Sequence, residues 1–149
     1  MSFPERKTEL RDGARLSDQD ATDRIVALFT QLPRLVAQDA DLVRRGRFLT
    51  CEFEIGVGRV ALMVAIAAGV VRSVERGPFL LRPWAFAIRA EPQTWSGFLA
   101  PLPAAGVHDV MALSKQGLAR IEGDLHPFLS NLQYIKDVLA APRAINQKG

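Results

Sequence analysis

Residues 117–132 read GLARIEGDLHPFLSNL, and the change of period inside this stretch decides the architecture. Leu118 to Glu122 read as a short strand. Gly123 lets the chain turn sharply because it has no Cβ, and Asp124 is placed to cap the helix that follows. Pro127 falls in the first helical turn, where its missing N–H removes no intrahelical bond. Leu125, Phe128, Leu129, Leu132, Ile135 and Leu139 then form one apolar stripe at helical spacing, ended by Ala141-Pro142. A strand feeds directly into a closing helix, so Gly123-Asp124 is a corner of the fold rather than a reactive site.

Upstream of that corner the pattern is strand-rich. In RFLTCEFEI, Leu49, Cys51, Phe53 and Ile55 share one face while Thr50, Glu52 and Glu54 share the other. Gly56-Val57-Gly58 reads as a turn, Arg59 to Ala67 as a second strand apolar on both faces, Ala68-Gly69 as another turn, and Val70 to Arg76 as a third strand. Short connections predict an antiparallel meander. Gly77-Pro78 and Arg82-Pro83 punctuate the chain before a fourth strand from Trp84 to Ala90. Glu91-Pro92 fits a helix start with Trp95, Phe98 and Leu99 at helical spacing, and a further helix spans His108 to Lys115.

At the N-terminal end, Ile25, Val26, Leu28, Phe29 and Leu32 predict a helix from about Asp20 that Pro33 ends or kinks. A second short helical stretch carries Leu35, Val36 and Leu42. The sum is an α+β domain, a mostly antiparallel sheet with helices over one face. It occupies residues 17–142, between an N-terminal tail of residues 1–16 and a C-terminal tail of residues 143–149.

A chain of 149 residues suits one core, and 48% hydrophobic with 23% charged residues is ordinary for a globular protein. A net charge of +3, with no aromatics interleaved among Lys and Arg, does not call for nucleic acid. The single Cys51 excludes an internal disulfide framework and favours a cytoplasmic setting. The N-terminus MSFPERKTELRDGAR has no apolar core of a signal peptide. The longest apolar stretch, Val60 to Val71, falls short of the roughly 18 apolar residues of a membrane helix.

Candidate reactive motifs each meet a simpler reading. Gly56-Val57-Gly58-Arg59-Val60-Ala61 matches a dinucleotide fingerprint, with Glu75 placed 19 residues beyond the first glycine. The preceding strand exposes Glu52 and Glu54, however, and a central parallel strand is apolar on both faces. His108 and His126 are the only histidines and lie in no metal-ligand spacing, so no metal or other cofactor is expected. No serine sits on a nucleophile elbow. Cys51 alternates with Leu49 and Phe53 and reads as a buried hydrophobe. An enzyme using His108 or His126 with a nearby acid is the weakest of the functional readings, and no catalytic residue is assigned.

What remains is large apolar material. Phe53, Met63, Phe86, Trp95, Phe98, Leu99, Met111, Phe128 and Leu132 are core candidates that can equally line a ligand cavity. Arg44, Arg45 and Arg47 form the densest basic cluster, a solvated turn or a contact for anionic lipid.

The order of these elements resembles the sterol carrier protein family, the lipid-transfer domain named for its second member, in its stand-alone bacterial type. The resemblance covers about two thirds of the chain, from Phe53 to about Leu139. It rests on the AAGVV hairpin, on Val74-Glu75-Arg76-Gly77-Pro78, on IRAEPQTWSGFL, and on Gly117, Ile121, Gly123 and Asp124 before the closing helix. It implies a mixed, mostly antiparallel five-stranded sheet with helices on one side, enclosing a hydrophobic tunnel. It also implies non-enzymatic binding or transfer of a sterol, fatty acyl, isoprenoid or quinone-like lipid. The alternative is an accessory subunit of a lipid- or quinone-metabolising enzyme, its tunnel filled by side chains, with an enzyme partner or a second copy bound. No catalytic residue of that family carries over. The chain ends Gln147-Lys148-Gly149, without a peroxisomal targeting tripeptide, which favours a free-standing cytosolic domain.

Overall fold

The computed structural model describes residues 18–146. Helix α1 covers residues 18–30. It is followed by α2 (Leu32–Ala37) and α3 (Ala40–Arg45). Strands β1 (Cys51–Val57), β2 (Val60–Ala67), β3 (Val70–Arg76) and β4 (Phe86–Ala90) come next. Then come α4 (Pro92–Phe98), α5 (Val110–Lys115), β5 (Ala119–Gly123), α6 (Leu125–Ser130), α7 (Leu132–Ala140) and a 3-10 turn, Ala141–Ala144. Among the described residues no helix is long and apolar enough to cross a membrane.

The five strands form one sheet in the order β3-β2-β1-β4-β5. The β1–β2, β2–β3 and β4–β5 pairs are antiparallel, whereas β1 and β4 run parallel. The sheet is therefore mixed rather than a pure meander. β4 does not extend the hairpin series at β3; it lies against β1 on the far side of β2. A parallel pair needs a crossover, and here residues 77–85 supply it as a strap across one face. The strap is fixed by the Gly77 N–H donating to the Ala61 carbonyl at 2.8 Å and the Ala85 N–H donating to the Glu52 carbonyl at 2.8 Å.

Alternation along the strands makes two unlike faces. Phe53, Ile55, Val57, Leu62, Val64, Phe86 and Ile88 are fully buried on the helix side. The opposite face carries Glu52, Glu54, Met63, Glu75 and Arg89, since Glu54 pairs with Met63 and Met63 with Glu75. Glu54 is nonetheless only 6% exposed, lying between the sheet and the strap. Its carboxylate accepts from Arg89, which also donates to Glu122 at 2.6 Å. Arg82 on the strap donates to Glu52 at 3.1 Å and to Glu75.

Several of the expected element boundaries shift. Gly56 and Val57 belong to β1, and the hairpin turn is Gly58-Arg59 followed by a strand. No helix begins after Gly56-Val57-Gly58, so the dinucleotide fingerprint has no helix N-terminus on which to hold a pyrophosphate. The closing helix is two helices with a break at Asn131, whose side-chain amide donates to the Pro127 carbonyl. On α6 Phe128 faces inward while Leu125 and Leu129 stand outward, 39% and 52% exposed, and the break divides the expected stripe. The C-terminal segment is still docked beyond residue 142. Arg143 donates to the Phe98 carbonyl at 2.8 Å and Asn146 to the Leu99 carbonyl at 2.8 Å. The expected N-terminal tail, residues 1–16, and the last three residues lie outside the described residues.

At the corner where β5 meets α6, Gly123 has φ +101° and Asp124 accepts from the His126 N–H at 3.1 Å. A Cβ on Gly123 would lie 2.7 Å from the Ala85 carbonyl oxygen and 2.6 Å from the Trp84 ring. Both the left-handed backbone and the contact disfavour any side chain there. Gly123→Ala is expected to destabilise the fold by about 2 kcal/mol or more in urea unfolding; a loss below about 0.5 kcal/mol would contradict this account of the corner.

Candidate functional site: the apolar layer between sheet and helices

The parallel pairing of β1 with β4 sets Phe53 beside Phe86, and their rings stack at 4.9 Å between centroids with planes 10° apart. Phe128, the only buried side chain of α6, tilts onto Phe86 at 5.4 Å. Helix α4 begins at Pro92, whose fixed φ and missing N–H suit a first turn. Trp95 and Phe98, three residues apart, therefore share the inward face, edge-to-face at 5.4 Å. Phe29 of α1 closes on Trp95 at 5.2 Å. The Trp95 indole N–H donates to the Gly56 carbonyl at 2.8 Å, so the one polar atom of this ring is satisfied inside the layer.

Phe53, Phe86, Trp95, Phe98, Leu99 and Phe128 thus belong to one buried cluster, with Met111 and Leu132 partly buried at its margin. Met63 is buried as well, but on the opposite face beside Glu54, because it is one residue out of phase with Leu62 and Val64. Phe29, Tyr134, Ile135 and Val138 complete the layer and were not among the expected lining residues. Helical spacing around Ile25 and Leu139 was the signal for them; it shows which face turns inward but not what that face meets.

The layer holds few polar groups, and burial governs them. The Cys51 thiol is pushed up to about 11 by burial, with the Glu52 charge adding to the effect. The Tyr134 phenol is pushed up to about 12, chiefly by burial, and its hydroxyl donates to the Gly69 carbonyl at 2.6 Å. His108 and His126 lie outside the layer. His126 Nε2 is 3.5 Å from Ser130 Oγ, but the Asp124 carboxylate is engaged by the His126 backbone N–H rather than by its ring. Among the described residues no three His, Cys, Asp or Glu side chains gather as a metal site. Arg44 and Arg45 both donate to Asp41, which they hold below the usual carboxylate range, and Arg45 also reaches Asp137 at 2.7 Å. Arg47 stacks over Phe48 at 4.4 Å.

The overall fold of this chain is matched among solved structures. A crystal structure of sterol carrier protein 2 superimposes with a TM-score of 0.64 at 15% identity, covering 78% of this chain and 94% of that one. The chain has the sterol carrier protein 2 fold. The same fold is shared by the solution structure of a conserved hypothetical protein from Thermus thermophilus, with a TM-score of 0.55 at 15% identity over 78% of this chain and 86% of that one. It is shared too by a UbiJ-SCP2 ubiquinone synthesis protein, with a TM-score of 0.51 at 15% identity over 81% and 94%. No family model and no curated protein matches the sequence.

In this sterol carrier fold the layer presents apolar surface from sheet and helices, with rings as its largest units and backbone carbonyls as its polar points. Such a surface can bind by exclusion of water and shape; at its margin the Arg143 guanidinium lies 4.5 Å from the Phe98 ring centre. Trp95→Phe keeps a ring but withdraws the donor from the Gly56 carbonyl, and a loss of about 1–2 kcal/mol in urea unfolding is expected. The Cys51 thiol is expected to resist alkylation at pH 8 until the protein is unfolded. Its raised folded value gives stability that is present below the ordinary thiol value of 9.0 and declines as pH rises from there toward about 11, the range in which the unfolded chain ionises first. Rapid labelling of the native protein at pH 8 would contradict the burial.

Proposed function

We propose that this protein binds an elongated apolar small molecule, of sterol, fatty acyl, isoprenoid or quinone type, between the sheet and the helices that cover it. The observation that carries the reading is the continuous layer of rings from Phe29 to Phe128 in a sterol carrier fold, walled by Phe53 and Phe86 on the sheet and by Trp95, Phe98 and Leu99 at α4. Met111 and Leu132 at its margin serve as adjustable wall, and Met adapts to cargo of varied shape. Helix α6 is the segment that gives way. It has six residues, its only buried side chain is Phe128, and the break at Asn131 separates it from α7. Swinging α6 out removes one ring from Phe86 and opens the layer, and cargo then regains the lost contact at about 25 cal/mol per Å² of apolar area. No catalytic step is required of the chain, which acts as a carrier or a presenter of its cargo.

Trp84 lies on the opposite face, so Trp84→Phe leaves Trp95 as the sole tryptophan and a reporter inside the layer. Titration with a conjugated fatty acid is expected to quench Trp95 by energy transfer, and organic extraction of purified protein is expected to release an apolar compound detectable by mass spectrometry. No quenching, together with an empty extract, would sink the carrier reading.

A second reading is favoured by the packing itself. The rings of Phe29, Phe53, Phe86, Trp95, Phe98 and Phe128 are 0–1% exposed and pack against one another, as expected of an interaction subunit whose layer is occupied by its own side chains. The likeness to a UbiJ-SCP2 ubiquinone synthesis protein suggests a quinone- or lipid-metabolising enzyme as partner. Uptake by Phe128→Ala but not by the native protein would favour this second reading.

A further inference from the structure

Between β3 and β4 the chain reads RGPFLLRPW, residues 76–84, five uncharged residues bracketed by Arg76 and Arg82. The strap does not bury its apolar residues alike. Phe79 folds back, with the Arg82 guanidinium 5.3 Å from its ring centre. Leu80 and Leu81 are 90% and 93% exposed, adjacent, on a strap pinned to the sheet on either side of them. Leu81 has φ +55°, a left-handed conformation unusual for leucine. The strap therefore holds two large apolar side chains in water at a cost, and such strain concentrates at functional positions.

Arginines and acids are interleaved around this tip, and two of the arginines, Arg59 and Arg76, are not held by a close ion pair. A cleft of about 490 Å³ between strap and sheet is lined by Arg59, Arg76 and Arg82 together with Phe79, Leu81 and Trp84. Its acid is Glu54, which Arg89 neutralises. Arg82 is held by Glu52 and Glu75. Arg76 has a pairing at 3.7 Å to Asp23, both half-exposed and so weakly coupled. Arg59 makes no ion pair among the described residues. Arg59 and Arg76 also line a neighbouring cleft whose acids are Asp18, Asp23 and Glu91.

We propose that the strap docks this protein on an anionic lipid surface, Leu80 and Leu81 entering the boundary between headgroups and acyl chains while Arg59 and Arg76 meet lipid phosphates. Apolar tip and flanking arginines match the two zones such a surface presents. A second copy of the chain fits less well. Two leucines offer far less than the roughly 800 Å² per partner of a stable dimer, and a two-fold contact would bring the same arginines face to face. The basic cluster of Arg44 and Arg45, by contrast, is already engaged by Asp41 and Asp137. The docking does not depend on cargo in the layer, since strap and layer lie on opposite faces of the sheet.

The test is co-sedimentation of the full chain with vesicles of phosphatidylcholine alone or mixed with phosphatidylglycerol, at low and physiological salt. The native protein is expected to pellet with the anionic vesicles. L80E/L81E is expected to weaken partitioning about tenfold or more, with L80S/L81S a smaller loss in the same direction and the melting temperature of both retained. R59Q/R76Q is expected to lose binding to the anionic vesicles and most of its salt dependence. Native protein that stays in solution, or an L80E/L81E variant that pellets like the native one, overturns the proposal. So does a dimer in equilibrium sedimentation that L80E/L81E dissolves. Uptake of a soluble fluorescent fatty acid by L80E/L81E reads the layer separately, so loss of docking and loss of cargo binding are told apart.

Discussion

The parallel contact between β1 and β4 is the constraint on which the rest of the structure depends. It joins the N-terminal hairpins to the C-terminal pair, β4 and β5, through in-register neighbours from Glu54 and Ala87 to Val57 and Ala90. Adjacent strands meeting in this way bring Phe53 onto Phe86 and give Phe128 a ring to settle against. Because the partners run parallel, the chain cannot reach β4 by a tight turn and must cross a face of the sheet. The strap is the consequence of that topology.

The crossing also explains why one sheet carries two unlike faces. On the helix side, water is excluded and the few polar groups use backbone carbonyls, as Trp95 does at Gly56 and Tyr134 at Gly69. On the strap side, acids and arginines interlock. Arg89 binds both Glu54 and Glu122, and Arg82 binds both Glu52 and Glu75. A carboxylate as buried as Glu54 is tolerable only with such a partner, and removing that partner would leave an uncompensated charge. The apolar layer and the charged network are therefore two outcomes of one alternating pattern on β1.

Much of this architecture was legible from period and punctuation. The strand-to-helix corner at Gly123-Asp124 follows from a residue without Cβ followed by a capping carboxylate, and Pro92 in the first turn of α4 follows from the same local chemistry. Six of the nine expected lining residues lie fully within one core because alternation and helical spacing report which side turns inward. Met63 joined the opposite face because β2 is apolar on both sides, leaving period two with no contrast to read. Leu125 and Leu129 stand outward on α6, where Phe128 takes the inward face, and a stripe drawn for one straight helix does not survive the break at Asn131.

By itself, the sequence determined the local elements, the corner at Gly123, the dry face of β1 and the general class of an α+β domain, because these depend on neighbours a few residues apart. Only the tertiary structure decided that β4 pairs with β1, that Glu54 is buried with Arg89 across 35 residues of chain, and that Leu80 and Leu81 stand in solvent beside a group of arginines. Those outcomes depend on which distant segments compete for the same sheet edge and the same face. Two leucines in a row look alike in sequence whether they are core or tip, and burial is set by the crossover that carries them.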